Sequence, residues 1–415
     1  MEDEALAQLR RVQRGLHRDE SFGDDLGWRG PPTNLTVMSY NLRASHIDKE
    51  VNTWWHHRRE VLAGTVLKYQ PAVIGTQEGL RDQLLDLLSL LPPSWRLFGC
   101  SRRGESEDDE HSALIYNTDE VEFRKGGDFW LSPTPDVPGS SAWGSCFPRM
   151  ATWALSTGHL FYIVNTHMDH VSEQARVEGA KVLLKTIEKL RRKNRAVIVT
   201  GDFNAAPGQG SYEVLRDGGF EDAWSKCNEM DTILHRTHTT FHHYMGTKLE
   251  TWYCSMALYA GFRWHAGRFP HFGRYHVDWI LYMNDQPREN SDEREIADRC
   301  RAEGKREKKS DDQGDTAAAA IVVDCDVEGK RRPEDAVEQP PATTVEPLCA
   351  MVCTDATAEG QYPSDHYALL AVFRLAYRPA KGLPEAYDAE EEDEVGERDD
   401  DDGDEAEVAT IAEFR

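Results

Sequence analysis

The sequence predicts a layered α/β or α+β domain, and three observations carry that reading. Short apolar strands greatly outnumber helices along the 415 residues, which is the pattern of stacked sheets with a few covering helices. A polar cluster recurs wherever a strand ends: SYN, TQE, NTHMDH, TGDFN, HVD and PSDH. No run approaches 18 apolar residues, so a membrane-spanning helix is not expected.

The elements follow in order. Residues 1–33 read as a polar extension with a short helix, closed by Gly30-Pro31-Pro32. LTVMSYNL, from Leu35, alternates like a strand entering a core. Residues 54–69 have helical spacing and Pro71 stops them. AVIGTQE is a short apolar strand, and QLLDLLSLL a leucine-rich helix after it. Strands are expected at 112–117, 120–125, 150–156 and 159–166, a helix at 172–192, then the strand AVIVTGDFN. Strands at 276–283 and 367–375 close the domain. Between those two, 285–346 is rich in Asp, Glu, Lys, Arg and Ala with little periodicity, and reads as a long, partly disordered insertion. Its one apolar run, AAAAIVVDCDV, is a strand or a chance patch.

The chain carries 73 acids against 48 basic residues, a formal net charge of −25. Residues 385–415 hold more than half of that charge and read as a disordered acidic tail, the whole of 378–415 forming the third segment after the domain at 34–377. Such a tail either docks a basic protein partner or merely solubilises the chain. The body remains acidic without it, which weighs against a long polyanionic substrate but leaves room for a local basic groove. The N-terminus has early acids and no apolar stretch, and the eight cysteines form no CxxC pair. Both point to a reduced, cytoplasmic setting, with the nucleus as a second possibility.

The strand-end clusters define the chemistry. Asn41, Glu78, Asp202, Asn204, Asp278 and Asp365 offer hard oxygen atoms, and His167, His170, His276 and His366 offer imidazoles. Oxygen donors without a Cys/His quartet suit Mg²⁺ or Mn²⁺ rather than structural zinc. Such an ion, with imidazoles and amides around a phosphoryl group, stabilises charge in an in-line displacement, and a neighbouring Asp can deprotonate the attacking water. Singly, an Asp or Asn at a strand end is an ordinary turn or cap residue. The ordered set is what points to a site.

That ordered set resembles the endonuclease/exonuclease/phosphatase superfamily through SYN39–41, TQE76–78, NTH165–167, GDFN201–204, VDWI277–280 and SDH364–366. The segments FWLSPTP, PRMATWA, NTHMDHVSEQARVEGA and YPSDHY resemble a branch of small stand-alone members. The resemblance implies a DNase-I-like, four-layer α/β/β/α sandwich of two mainly antiparallel sheets with helices outside. It also implies a Mg²⁺- or Mn²⁺-dependent phosphoesterase. On this resemblance Glu78 is the main metal ligand, with Asn41 beside it and Asp365 near the metal. Asp202 orients or deprotonates the water, Asn204 contacts phosphate and nucleophile, and His366 contacts the scissile phosphate, oriented by Asp278. His167 is a second phosphate-binding or acid histidine partnered by Glu110, and Arg149 a positive phosphate contact. GESEDDEHSALIY leaves Glu105 competing with Glu110 for one role, and the offset to the strand favours Glu110.

The expected substrate is a small phosphorylated molecule or short phosphodiester. A 3′–5′ RNA or DNA exonuclease, deadenylase-like, is the alternative within the same chemistry. A non-catalytic scaffold acting through the acidic tail is the alternative outside it, although no catalytic position is lost. Four features stay open or bland. His235, His238, His242 and His243 fit no strong zinc spacing. Asp169 and His170 either extend the site or brace the following helix, and Trp143 either walls a pocket or fills a core.

Overall fold

The computed structural model describes residues 2–15, 33–47, 55–104, 109–157, 161–191, 195–235, 237, 239–246, 248, 276–284, 342–357 and 359–378. Glu105, His238, the run AAAAIVVDCDV, most of 285–346 and nearly all of 378–415 lie outside them.

Two sheets stack face to face. The first has the order β10-β12-β13-β1-β2-β4-β3, from β1 (Thr33–Asn41), β2 (Val73–Gln77), β3 (Trp95–Phe98), β4 (Leu114–Asn117), β10 (Ile233–His235), β12 (Ala342–Cys353) and β13 (Ala368–Arg378). The second runs β5-β6-β7-β8-β11-β9, from β5 (Phe123–Trp130), β6 (Met150–Ser156), β7 (Tyr162–His167), β8 (Val197–Asp202), β9 (Glu221–Asp222) and β11 (Asp278–Met283). Most pairings are antiparallel; β1–β2, β7–β8 and β10–β12 are parallel.

Three apolar layers separate the elements. Val37, Ile163, Ile198, Ile280 and Phe373 fill the space between the sheets. Leu62 and Val66 of α2 (Trp55–Tyr69) and Leu84 and Leu87 of α3 (Arg81–Ser89) cover the first sheet. Leu183 and Ile187 of α4 (Glu173–Leu190) and Leu215 of α5 (Gly210–Asp217) cover the second. This is the expected α/β/β/α sandwich. It explains why β1 is buried on both faces: Val37 faces the other sheet while Met38 and Tyr40 face the helices.

The sheets approach closely behind the strand ends through a buried polar clamp. Asn165 Oδ1 accepts from Gln77 Nε2 at 2.8 Å and from Thr200 Oγ1 at 3.1 Å. Its Nδ2 donates to the carbonyls of Thr76 at 2.8 Å and Ala113 at 3.0 Å. Only glycine fits at position 75, because a Cβ there would stand 2.0 Å from Thr200 Oγ1 and 2.5 Å from Asn165 Oδ1.

Three expectations need correction. The strand expected at 120–125 begins at Phe123 and runs to Trp130, since Gly126 and Gly127 extend it rather than end it. The insertion ends earlier than 346: β12 starts at Ala342 and contributes a full strand beside β13. Glu346 and Pro347 hid it, and the register shift between Pro347 and Cys349 is what lets a sheet interior hold a proline. Asn284 donates to the Val345 carbonyl at 2.9 Å and accepts the Val345 N–H at 2.8 Å, so the chain leaves and re-enters the core at one point. Finally, the extension holds its expected short helix, α1 (Glu2–Gln13), but that helix buries Ala5, Leu9 and Val12 instead of lying outside the core as a purely polar segment. Leu9 and Val12 belong to the outer core of the first sheet. No described helix is long and apolar enough to cross a membrane.

Candidate active site

Topology gathers the strand-end clusters at one edge of the sandwich. β1, β2, β7 and β8 run parallel within their pairs and finish there, whereas β11 and β13 run antiparallel to β8 and β1 and begin there. In the second sheet the ladder aligns His167 with Asp202 and Asp202 with Asp278, forming one lateral row. In the first sheet Asn41 stands beside Gln77, which delivers Glu78. Asp365 and His366 arrive on the turn before β13, where Ser364 Oγ donates to the Asn41 carbonyl at 2.6 Å. Glu78, Asn204 and Arg43 hold positive φ angles of 62°, 48° and 58°, a strained backbone that packing must maintain.

The side chains then converge. Asn41 Nδ2 donates to Glu78 Oε1 and Asp202 Oδ2, both at 3.0 Å, while its Oδ1 accepts the Arg43 N–H at 3.0 Å. Asn41 thus braces two carboxylates, and its amide oxygen, with one N–H accepted, keeps a second lone pair. Asp202 Oδ2 is 3.7 Å from Nε2 of both His167 and His366. His366 Nδ1 donates to Asp278 Oδ2 at 2.9 Å. Arg43 lies 3.4 Å from Asp365 and 3.9 Å from Glu78.

Burial and charge set two opposite histidines. Burial alone would lower the His366 imidazole, but Asp278 and then Asp202 outweigh it and raise it to about 10, so His366 is an imidazolium. His167 is lowered well below its ordinary value by burial and then by Arg149 and Arg102, so it is neutral. Asn204 Nδ2 donates to His167 Nε2 at 3.1 Å, which places the ring proton on Nδ1. The expected Glu110–His167 pair does not form: Arg102 Nη1 donates to Glu110 Oε2 at 2.7 Å and draws the carboxylate away.

The acids are crowded. Burial, with Asp278 nearby, raises Asp202 to about 7 against the pull of His366. Burial and then Glu78 raise Glu110 to about 7. Burial also pushes Glu78 up, but Arg43 and the Asn41 hydrogen bond hold it below the usual range. Glu78, His167 and Asp202 present ligand atoms all within 4.8 Å of one another, as do Asp202, Asp278 and His366. The second trio is unsuited to an ion because His366 is protonated and paired. The Glu78–Asp202 side, with Asp365 facing Glu78 across Arg43, is a carboxylate-rich donor set that fits a hard divalent cation.

The remaining expectations resolve in the same geometry. Asp169 braces the helix, accepting the Val171 and Ser172 N–H groups at 2.9 and 2.7 Å, and Ser172 caps α4. His170 instead receives Arg149 through Nδ1 at 3.0 Å. His276 packs on the Trp224 ring, centroids 5.3 Å apart and planes tilted by 41°. Trp143 is half-buried and accepts Ser172 Oγ through its carbonyl at 2.8 Å. His242 is buried against Tyr367, centroids 3.9 Å apart, and His243 tilts against Phe241 at 4.0 Å. Arg102 and Phe241, the latter 4.8 Å from the His366 ring, carried no signal in the sequence. Arg43 alone had a local cue, two residues beyond the SYN cluster.

The fold and this constellation define a phosphoester hydrolase, and the comparisons agree. The Endonuclease/Exonuclease/phosphatase family signature matches residues 38–366. The chain belongs to that family. A family member from Bacteroides thetaiotaomicron superposes with a TM-score of 0.57 at 26% identity, over 83% of this chain and 96% of its own. A mannosyl-6-phosphatase from the same organism gives 0.56 at 26%, over 82% and 99%. A Bacteroides vulgatus member gives 0.56 at 22%, over 83% and 99%, a likeness of fold alone. Among curated proteins none matches.

Proposed function

We propose that the protein hydrolyses the phosphate ester of a small phosphorylated molecule by direct attack of water on phosphorus, with Mg²⁺ or Mn²⁺ held by Glu78 and Asp365. The observation that carries this reading is the row His167–Asp202–Asp278, with His366 paired to Asp278 and Glu78 opposite, which brings a base, an imidazolium and cation-binding carboxylates together. The bound ion would supply Lewis-acid polarisation and neutralise phosphoryl charge.

Asp202 acts on the water. Its pKa near 7 suits a base working at neutral pH, and the Asn204 N–H, donating to Oδ1 at 2.9 Å, fixes its direction. His366, held cationic by Asp278, binds a phosphoryl oxygen and stabilises the charge that grows on it. His167, kept neutral, donates through Nδ1 to a further oxygen. No covalent intermediate is invoked: Ser364 spends its hydroxyl on the Asn41 carbonyl. The likeness to a mannosyl-6-phosphatase and the −25 net charge both favour a small phosphorylated substrate over nucleic acid.

The test is a panel of sugar phosphates, inositol phosphates, nucleotides, bis-p-nitrophenyl phosphate, poly(A) RNA and single-stranded DNA. Each is incubated with EDTA, Mg²⁺ or Mn²⁺, and Asp202→Ala serves as the blank. Metal-dependent release from small phosphates is expected. Stepwise shortening of RNA or DNA, with small esters untouched, would overturn the substrate class.

A further inference from the structure

Beside His167 lies a small recess of about 10 Å³, room for about one water-sized atom, whose walls include Arg102, Glu110, Ser112 and Arg149. All four are buried. Arg102 is fully matched with acid, its Nε donating to Asp109 and its Nη1 to Glu110, both at 2.7 Å. Arg149 is not. Its Nε is buried without a hydrogen-bond partner, and the Asp169 carboxylate stands 3.6 Å off. That carboxylate oxygen already accepts Ser145 Oγ at 3.1 Å and the Cys146 N–H at 2.9 Å. The hydrogen bond Arg149 does make goes to the His170 ring at 3.0 Å, and a ring nitrogen that accepts it carries no proton. A guanidinium only 6% exposed thus has an Nε without a hydrogen bond, a neutral imidazole as hydrogen-bond partner, and in Asp169 a counter-ion 3.6 Å away that is shared with Ser145 and Cys146.

The placement matters because in-line displacement turns three oxygens of the phosphoryl group towards the protein. Asn41 and Glu78 close one direction, and His366 beneath the Phe241 ring closes a second. His167, with the Arg149 recess behind it, closes the third. A monoester presents three bare oxygens to these walls and sends its one ester oxygen out through the mouth. A diester must push a carbon substituent into one of them.

Resting on the phosphoester reading above, we propose that the Arg149 recess selects a terminal phosphate, so that the substrates are phosphate monoesters of small alcohols and internal phosphodiesters are excluded. The reaction balances as hydrolysis. The water oxygen forms the new P–O bond, the ester P–O bond breaks, and the proton from water ends on the departing alcohol oxygen.

The test uses the full chain with Mn²⁺, comparing p-nitrophenyl phosphate with bis-p-nitrophenyl phosphate, which share a leaving group. The wild type should favour the monoester at least ~100-fold in kcat/KM, on the order of what leaving a buried polar group unsatisfied costs. Arg149→Gln should lose about 100-fold on the monoester and less than about threefold on the diester, the pattern of a removed charge-assisted contact. Because that variant can misfold, titration calorimetry on the Mg²⁺-loaded wild type compares orthophosphate with dimethyl phosphate, and orthophosphate should bind far more tightly. Diester turnover equal to that of the monoester, or the two anions binding within about threefold, overturns the selection and leaves the phosphoesterase reading standing. Turnover of neither ester, with the orthophosphate preference intact, overturns the small-ester reading and supports the recess as an anion site.

Discussion

Replacing Asn165 by alanine removes the centre of the clamp between the sheets. Four hydrogen bonds go with it: those from Gln77 and Thr200, and those to the carbonyls of Thr76 and Ala113. Each contributes about 1 kcal/mol net, which sets an upper figure of roughly 4 kcal/mol before any cavity is counted. Some partners recover. Gln77 Nε2 still donates to the Gly75 carbonyl at 3.0 Å, and Thr200 Oγ1 to that of Val164 at 3.3 Å. The Ala113 carbonyl keeps the Thr76 N–H at 2.8 Å. The expected loss is therefore about 3 kcal/mol once the small void is included. Urea denaturation followed by tryptophan fluorescence and far-ultraviolet circular dichroism measures it. Asn165→Leu, which fills the space without the polar atoms, should lose at least as much, because it sets hydrocarbon against the Thr76 carbonyl that Asn165 serves and leaves Gln77 and Thr200 only their other acceptors. Both variants should also lower kcat, since Asn165 and Gln77 stand next to the residues that deliver His167 and Glu78. A loss below about 1 kcal/mol for alanine, or a stabilised leucine variant, would refute the view that this network fixes the spacing of the sheets.

Three further outcomes are expected. Leu9→Ala should cost about 2–5 kcal/mol in the same denaturation assay, because Leu9 is fully buried; an unchanged midpoint would mean that α1 is a dispensable extension. Asp128 is raised above its ordinary value by burial, and Thr152 Oγ1 donates to it at 2.5 Å. A folded-state pKa above the unfolded one gives stability that is present at low pH and lost as pH rises through the folded value. Asp128→Asn, which keeps an acceptor for Thr152, should therefore gain on the wild type from pH 4 upward and then level off, and a pH-independent difference would contradict the assignment. Finally, saturating Mg²⁺ should raise the thermal midpoint, with about 2.7 kcal/mol gained at a hundred times Kd. Glu78→Gln should abolish that gain; a retained gain would place the cation elsewhere.

The sequence by itself determined a layered α/β domain and most of its strands, and its ordered motifs carried the resemblance that implies the sandwich and the candidate site residues. Those features are local or repeat at fixed offsets: alternation within AVIVTGDFN, helical spacing from 54 to 69, and polar clusters where each strand stops. Strand ends face solvent or ligand and must carry their own polar chemistry, so Asn41, Glu78, His167, Asp202, Asn204, Asp278 and His366 stand out as an ordered set, although each alone is an ordinary turn or cap residue. What the tertiary structure decided were relations between distant segments. β12 was hidden because a central strand with Pro347 shows no clean alternation, and only pairing with β13 makes it one. Glu110 takes Arg102 instead of His167 because a buried carboxylate follows the nearest cation, and which cation is nearest is a property of packing. The two histidines look alike in sequence, yet one is held charged and the other neutral. The difference is which charges face each ring: Asp278 and Asp202 at His366, Arg149 and Arg102 at His167. Electrostatic energy in a buried site depends on distances that close only when the two sheets stack, and no spacing along the chain encodes them.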